Sequence, residues 1–131
     1  MTRILLLSFF FIFLPFSDLF SQSHITFNHL TVEDGLSQSS VTCILEDSKG
    51  FMWFGTEDGL NKYDGYNFRI YRHSPFDSVS ITNNRIRAIY QDSQKRMWVA
   101  TAGGGLNLYD PKTNTFTPYT EKDGLLNNVV Y

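Results

Sequence analysis

The sequence predicts an all-β chain in which one four-stranded unit occurs twice, and three observations carry that prediction. The first is an internal repeat. Ser39-Ser40-Val41-Thr42-Cys43-Ile44-Leu45-Glu46-Asp47 matches Asn84-Arg85-Ile86-Arg87-Ala88-Ile89-Tyr90-Gln91-Asp92, and the match runs on to a tryptophan in each copy, Trp53 and Trp98, 45 residues apart. After one inserted residue, Gly59-Leu60-Asn61-Lys62-Tyr63-Asp64 matches Gly105-Leu106-Asn107-Leu108-Tyr109-Asp110, and Phe68 and Tyr71 then match Phe116 and Tyr119. The second observation is the pattern inside each copy: short apolar runs divided by polar turns, with no helical period. The third is the length of the period. A repeat in the forties, rich in aromatics and made of short strands, is the signature of a β-propeller blade.

The N-terminus comes first in chain order. Arg3 precedes an apolar run of 13 residues from Ile4 to Phe16, and the small residues Ser17, Ser21 and Ser23 follow. The run is too short for a membrane span of about 20 residues, so residues 1–23 are expected to be a secretory signal peptide. Next, Phe27-Asn28-His29-Leu30-Thr31-Val32-Glu33-Asp34-Gly35-Leu36 matches Phe116-Thr117-Pro118-Tyr119-Thr120-Glu121-Lys122-Asp123-Gly124-Leu125. Residues 24–35 are therefore expected to be a lone outer strand, over 26–30, and a linker. In a closed ring that strand completes the last blade.

Repeat 1 spans 36–71 and repeat 2 spans 81–119. Four strands fit each copy: 41–46 and 86–91, 52–56 and 97–101, 60–63 and 106–109, 68–71 and 115–119. Asp47-Ser48-Lys49-Gly50 and Asp92-Ser93-Gln94-Lys95 supply the first hairpin turn. The second strand is apolar on both faces, at Met52, Trp53 and Phe54 and at Met97, Trp98 and Val99. That pattern suits a strand covered on both sides. The fourth strand carries Arg69, Thr117 and Pro118, as an outer edge allows. Trp53, Trp98, Tyr63, Tyr109, Phe68 and Phe116 are the expected repeat core. Residues 123–131 read as the start of a truncated third repeat, so the chain is expected to be a fragment of a larger ring.

Composition narrows the chemistry. The formal net charge is −2, which gives no basic footprint for nucleic acid. Cys43 is the single cysteine, so no disulfide framework forms within the chain. It aligns with Ala88 and is expected on a packed face. Asp47 and Asp92 resemble a carboxylate pair but hold equivalent places in separate units, where turn capping accounts for them. Asp58, Asn61 and Asp64 lack the spacing of a calcium loop, and a turn role is expected. His24, His29 and His73 fall in unrelated contexts. No catalytic residue, metal site or cofactor is expected. The loops that differ between copies at one rim are the expected ligand contacts, namely Glu57, Asp58, Asn83, Asn84 and Arg85, because function tends to sit in variable loops on a rigid scaffold.

Asp47-Ser48-Lys49-Gly50-Phe51-Met52-Trp53-Phe54-Gly55-Thr56-Glu57-Asp58-Gly59-Leu60-Asn61-Lys62-Tyr63-Asp64 resembles the two-component regulator propeller repeat. The second copy departs from it at Lys95 and Ala100. The opening Leu30-Thr31-Val32-Glu33-Asp34-Gly35-Leu36-Ser37 is similar to the start of hybrid two-component sensors of Bacteroidetes-type bacteria. The resemblance implies a periplasmic sensor, usually of two propellers and a β-sandwich, in a membrane-anchored, dimeric parent with a cytoplasmic histidine kinase. It implies an oligosaccharide as ligand and the remaining blades of the same chain as partners. None of the kinase parts lies in these residues. Two alternatives stay open: an exported propeller without a kinase, acting in protein binding or assembly, and an exported propeller enzyme such as a lyase.

Overall fold

The structure is a computed structural model that describes residues 25–130. The signal peptide expected over 1–23 lies outside the described residues. Strands β1 (Val41–Glu46), β2 (Met52–Thr56), β3 (Gly59–Tyr63) and β4 (Phe68–Tyr71) form one sheet in that order. Strands β5 (Ile86–Gln91), β6 (Met97–Thr101), β7 (Leu106–Asp110) and β8 (Thr115–Tyr119) form the second. Both sheets are antiparallel meanders, so the chain is all-β, as two blades of a propeller. The third strand of each blade is one residue longer than its predicted span. Gly59 joins β3 by pairing with Thr56, and Asp110 joins β7 by pairing with Thr115.

The turns follow from side-chain chemistry. In the first hairpin of each blade an aspartate Oδ1 accepts the backbone N–H groups two and four residues on: Lys49 and Phe51 from Asp47, Gln94 and Arg96 from Asp92. Its Oδ2 accepts the tryptophan indole N–H, at 2.8 Å from Trp53 and 3.0 Å from Trp98. Each aspartate therefore caps its turn and clamps the tryptophan of the next strand.

Register places the side chains. Cys43, Leu45, Trp53, Gly55, Leu60, Lys62, Arg69 and Tyr71 share one face of blade 1. In blade 2 that same face carries Ala88, Tyr90, Trp98, Ala100, Leu106 and Tyr119, and the opposite face carries Ile89, Met97, Val99, Asn107, Tyr109 and Phe116. The tryptophan face of blade 1 packs on the opposite face of blade 2. The buried cluster is this seam: Trp53, Leu60, Tyr71, Ile81, Ile86, Met97, Val99, Tyr109 and Phe116. Trp53 stacks on Tyr71 at 5.9 Å and meets Tyr109 edge-on at 5.0 Å, contacts worth about 0.5–1.5 kcal/mol each beyond their buried area. The Tyr71 and Tyr109 hydroxyls lie 3.0 Å apart, and both reach Asn114 Oδ1. Burial, with the Tyr109 hydroxyl alongside, raises the ionisation of Tyr71 above the ordinary tyrosine range.

Equal burial of the two tryptophans is not met. Trp53 is fully buried and Trp98 half-buried, because among the described residues no third sheet covers the second. Tyr63 and Phe68 are half-buried for the mirror-image reason, on the outer face of blade 1. The lone outer strand expected within 24–35 is also not formed. Residues 25–30 carry no regular structure, and Ile25 and Phe27 are exposed. A strand persists on ladder hydrogen bonds, and no strand among the described residues runs beside this segment.

Two 3-10 turns, Val32–Asp34 and Glu121–Asp123, hold matched places before the blades. Each is boxed by Thr31 with Asp34, or Thr120 with Asp123, and each closes on a left-handed glycine, Gly35 or Gly124. After the second turn, Asn128 O accepts the Gly105 N–H at 2.7 Å, where Asn84 O accepts that of Gly59 at 2.8 Å.

Candidate functional site: two rims of the blade pair

The strands run between two rims. One holds the connections between β2 and β3, between β6 and β7, and from each blade to the next. The other holds the hairpins at 47–50, 64–67, 92–95 and 111–114. All five residues expected to touch a ligand lie on the first rim, and the structure brings them together.

They are tied mainly to one another and to neighbouring backbone. Glu57 pairs with Arg85 and, at 3.2 Å, with Arg87. The Arg85 hydrogen bond is the main reason the Glu57 carboxyl sits below its usual range. Asp58 holds Arg72 at 2.9 Å. Asn84 Oδ1 accepts the His73 N–H at 2.6 Å, and Asn83 Nδ2 donates to Ala102 O. Glu57 and Asp58 belong to blade 1, whereas Asn83, Asn84 and Arg85 lead into blade 2, so this rim crosses the seam. Arg87 Nε is buried without a partner. Among the described residues, no three His, Cys, Asp or Glu side chains gather as a metal site would require.

Beneath this rim lies a polar network that the sequence reading missed. Asn61 was expected in a turn, yet it sits in β3, fully buried. Its Oδ1 accepts the Ser37 N–H at 2.8 Å, and its Nδ2 donates to Ser37 Oγ and to Phe54 O. Thr56 Oγ1 donates to Gly59 O. Asn107, Thr82 and Thr101 repeat the arrangement in blade 2. Identity at matched positions was the available signal, since a buried amide persists only when its hydrogen bonds are met.

The second rim was also missed. Between the hairpins of the two blades lies a cavity of about 260 Å³ lined by Asp47, Lys49, Lys62, Lys95, Arg96 and Tyr109. The Lys62 ammonium lies 3.8 Å from the Phe51 ring centre and 5.3 Å from that of Trp53. Burial is the main cause that lowers its pKa. Cys43 is half-buried against the seam, where burial raises its thiol pKa. A Cβ on Gly55 would stand 2.4 Å from its Sγ and 2.7 Å from Ile86 Cγ2.

Known proteins are similar to this chain in sequence and architecture. The model of the two component regulator propeller family matches residues 35–58 and 80–103. Over 72 residues the chain is 51% identical to histidine kinase P4 of Formosa agariphila, covering 55% of this chain and 5% of that protein. A solved chain described as the extracellular domain of a hybrid two component system, BT3049 of B. thetaiotaomicron, superposes with a TM-score of 0.69 at 39% identity. That match covers 78% of this chain and 15% of the other. The corresponding domain of BT4673 from the same organism gives 0.56 at 32% identity, over 70% of this chain and 13% of the other. The chain thus spans a small part of the length of these relatives. The two matched segments hold equivalent places in the two blades, so each blade is similar to a two component regulator propeller repeat.

Proposed function

We propose that this chain is part of the ligand-sensing propeller of an exported receptor that regulates a histidine kinase across the inner membrane. The observation that carries the reading is the likeness to extracellular domains of hybrid two-component systems over 78% of the chain at 39% identity. The leader expected over 1–23 supports export to the periplasm. The partners are further blades of the same polypeptide, in a dimeric parent. The open Trp98 face accepts the next blade, whose first strand starts within 123–131. The segment 26–30 gains its ladder when the last blade closes the ring.

The ligand is an oligosaccharide, and this segment contributes shape and rim contacts, with the chemistry of phosphotransfer elsewhere in the parent. Glu57, Asp58, Asn83, Asn84 and Arg85 bridge the seam. A ligand that exchanges those contacts for its own shifts how the blades pack. Such a differential contact is what biases a two-state receptor.

The test is calorimetric titration of oligosaccharides into the intact exported region, with Asp58→Ala and Arg85→Ala beside it and a thermal melt of each. Weakened binding at unchanged melting temperature supports the rim assignment. Unchanged affinity in both variants removes these residues from the binding site. Ligand-dependent autophosphorylation of the membrane-inserted parent separates a sensor from an exported propeller without a kinase.

A further inference from the structure

We infer that the cavity between the hairpins of the two blades binds a small organic anion, an oxyanion group on a ring-sized apolar body. The walls come from both blades, so the cavity is complete within the described residues and the inference does not rest on the sensor reading. Its volume of about 260 Å³ lies near the ~300 Å³ lower end of small-molecule sites. Met97, Pro111 and the Tyr109 ring supply an apolar wall. Four cations, Lys49, Lys62, Lys95 and Arg96, face one carboxylate, Asp47.

That carboxylate is engaged by the Lys49 and Phe51 backbone N–H groups and the Trp53 indole. Arg96 is paired with Asp92 at 2.7 Å. None of the ion pairs among the described residues involves Lys49, Lys62 or Lys95. Three ammonium groups thus line one cleft with Asp47 as the single carboxylate among its lining residues, in a chain whose net charge is −2. The Lys62 side chain is half-buried; the Phe51 and Trp53 rings offset part of the cost of desolvating its ammonium, and a bound anion would offset more of it.

Departures from the repeat point the same way. Lys62 stands where the second copy has Leu108, a residue that would close the cleft with apolar bulk. Lys95 stands where the first copy has Gly50. Its φ is +62°, in the left-handed region, where Gly50 sits at +84° without a Cβ. A non-glycine residue kept in that region is strained, and such strain concentrates at functional sites. Both substitutions bring positive charge to the same cleft. An anion in this cleft has both lysines among the residues that line its walls.

The experiment titrates the full chain with phenyl phosphate, inorganic phosphate and phenol at constant ionic strength, following heat and thermal midpoint. Phenyl phosphate is expected to bind best and phenol not at all. Lys62→Leu, which installs the residue of the second copy, should weaken phenyl phosphate about tenfold, or 1.4 kcal/mol. Lys95→Gly should weaken it as well while raising the thermal midpoint, opposite shifts that a purely structural lysine does not produce. Lys122→Gln, on the far rim, is the control. If Lys62→Leu fails to fold, Lys95→Gly decides alone. Failure of the parent chain to bind phenyl phosphate overturns the inference. So does affinity in Lys95→Gly equal to that of the control.

Discussion

Trp53 and Trp98 stand on the same strand of the repeat, and each gives its indole N–H to an aspartate six residues earlier. Trp53 is sealed between Tyr71 and Tyr109, whereas Trp98 meets only Tyr119 among the aromatic rings of the described residues, with Arg96 over its ring at 5.4 Å. Local sequence fixes the strand, the turn and the clamp, and the neighbouring sheet fixes the burial. A blade is therefore half of a packing unit, and the stable object is the seam between two.

The largest effect should come from cutting into that seam. Trp53→Ala is expected to cost about 3–5 kcal/mol, as truncating a buried aromatic does, and to abolish cooperative unfolding in a thermal melt. Gly55→Ala should cost roughly 1–3 kcal/mol by overpacking, since its Cβ would collide with Cys43 and Ile86. A denaturant titration reads it directly, and an unchanged midpoint would show that the blades can move apart. Trp98→Ala should cost only about 1–2 kcal/mol, because part of its surface is already in water. A loss equal to that of Trp53→Ala would break the comparison.

Acid gives a finer probe. The Asp92 carboxyl is lowered to about 2, chiefly by the Trp98 indole N–H and then by Arg96. A depressed carboxylate contributes stability above its unfolded value of about 3.9, and the contribution disappears as pH falls through the folded value. Trp98 emission should accordingly change between pH ~4 and ~2, and that change should be lost in Asp92→Asn. The smallest effect belongs to the exposed rim. Arg85→Ala should move the thermal midpoint by no more than about 4 °C, the scale of a weak surface pair in a small domain.

Much of the fold was legible because the repeat aligns strand with strand. Six of the eight strands span the predicted residues, and β3 and β7 each gain one more. The hairpin aspartates were assigned to turns, yet their hold on the tryptophans was not foreseen, since an offset of six within a hairpin becomes contact only once the strands pair. Asn61 was given a turn role because polar residues usually mark turns, and Asn107 was read only as part of a strand; the burial of both became visible only with Ser37 and Thr82 folded over them. The rim residues Glu57 and Arg85 drew notice because they differ between copies. Lys62 differs as well, and escaped because it lies within an apparent core strand. Matching the copies establishes equivalence, while exposure depends on what lies next in space, which a pairwise alignment of repeats does not encode.

The seam has a direction. The tryptophan side of one blade meets the opposite side of the next, so the pair has a head that differs from its tail. Association between copies through these surfaces is heterologous, each molecule offering a different patch from the one it receives. Such contacts leave one unsatisfied surface at each end of every assembly. Growth then stops only when rotation returns the last copy to the first. A rotation that fails to close gives an open helical polymer. Substituting a charge at Tyr90 or Leu106, on the exposed head, should cap that growth while leaving the internal seam intact.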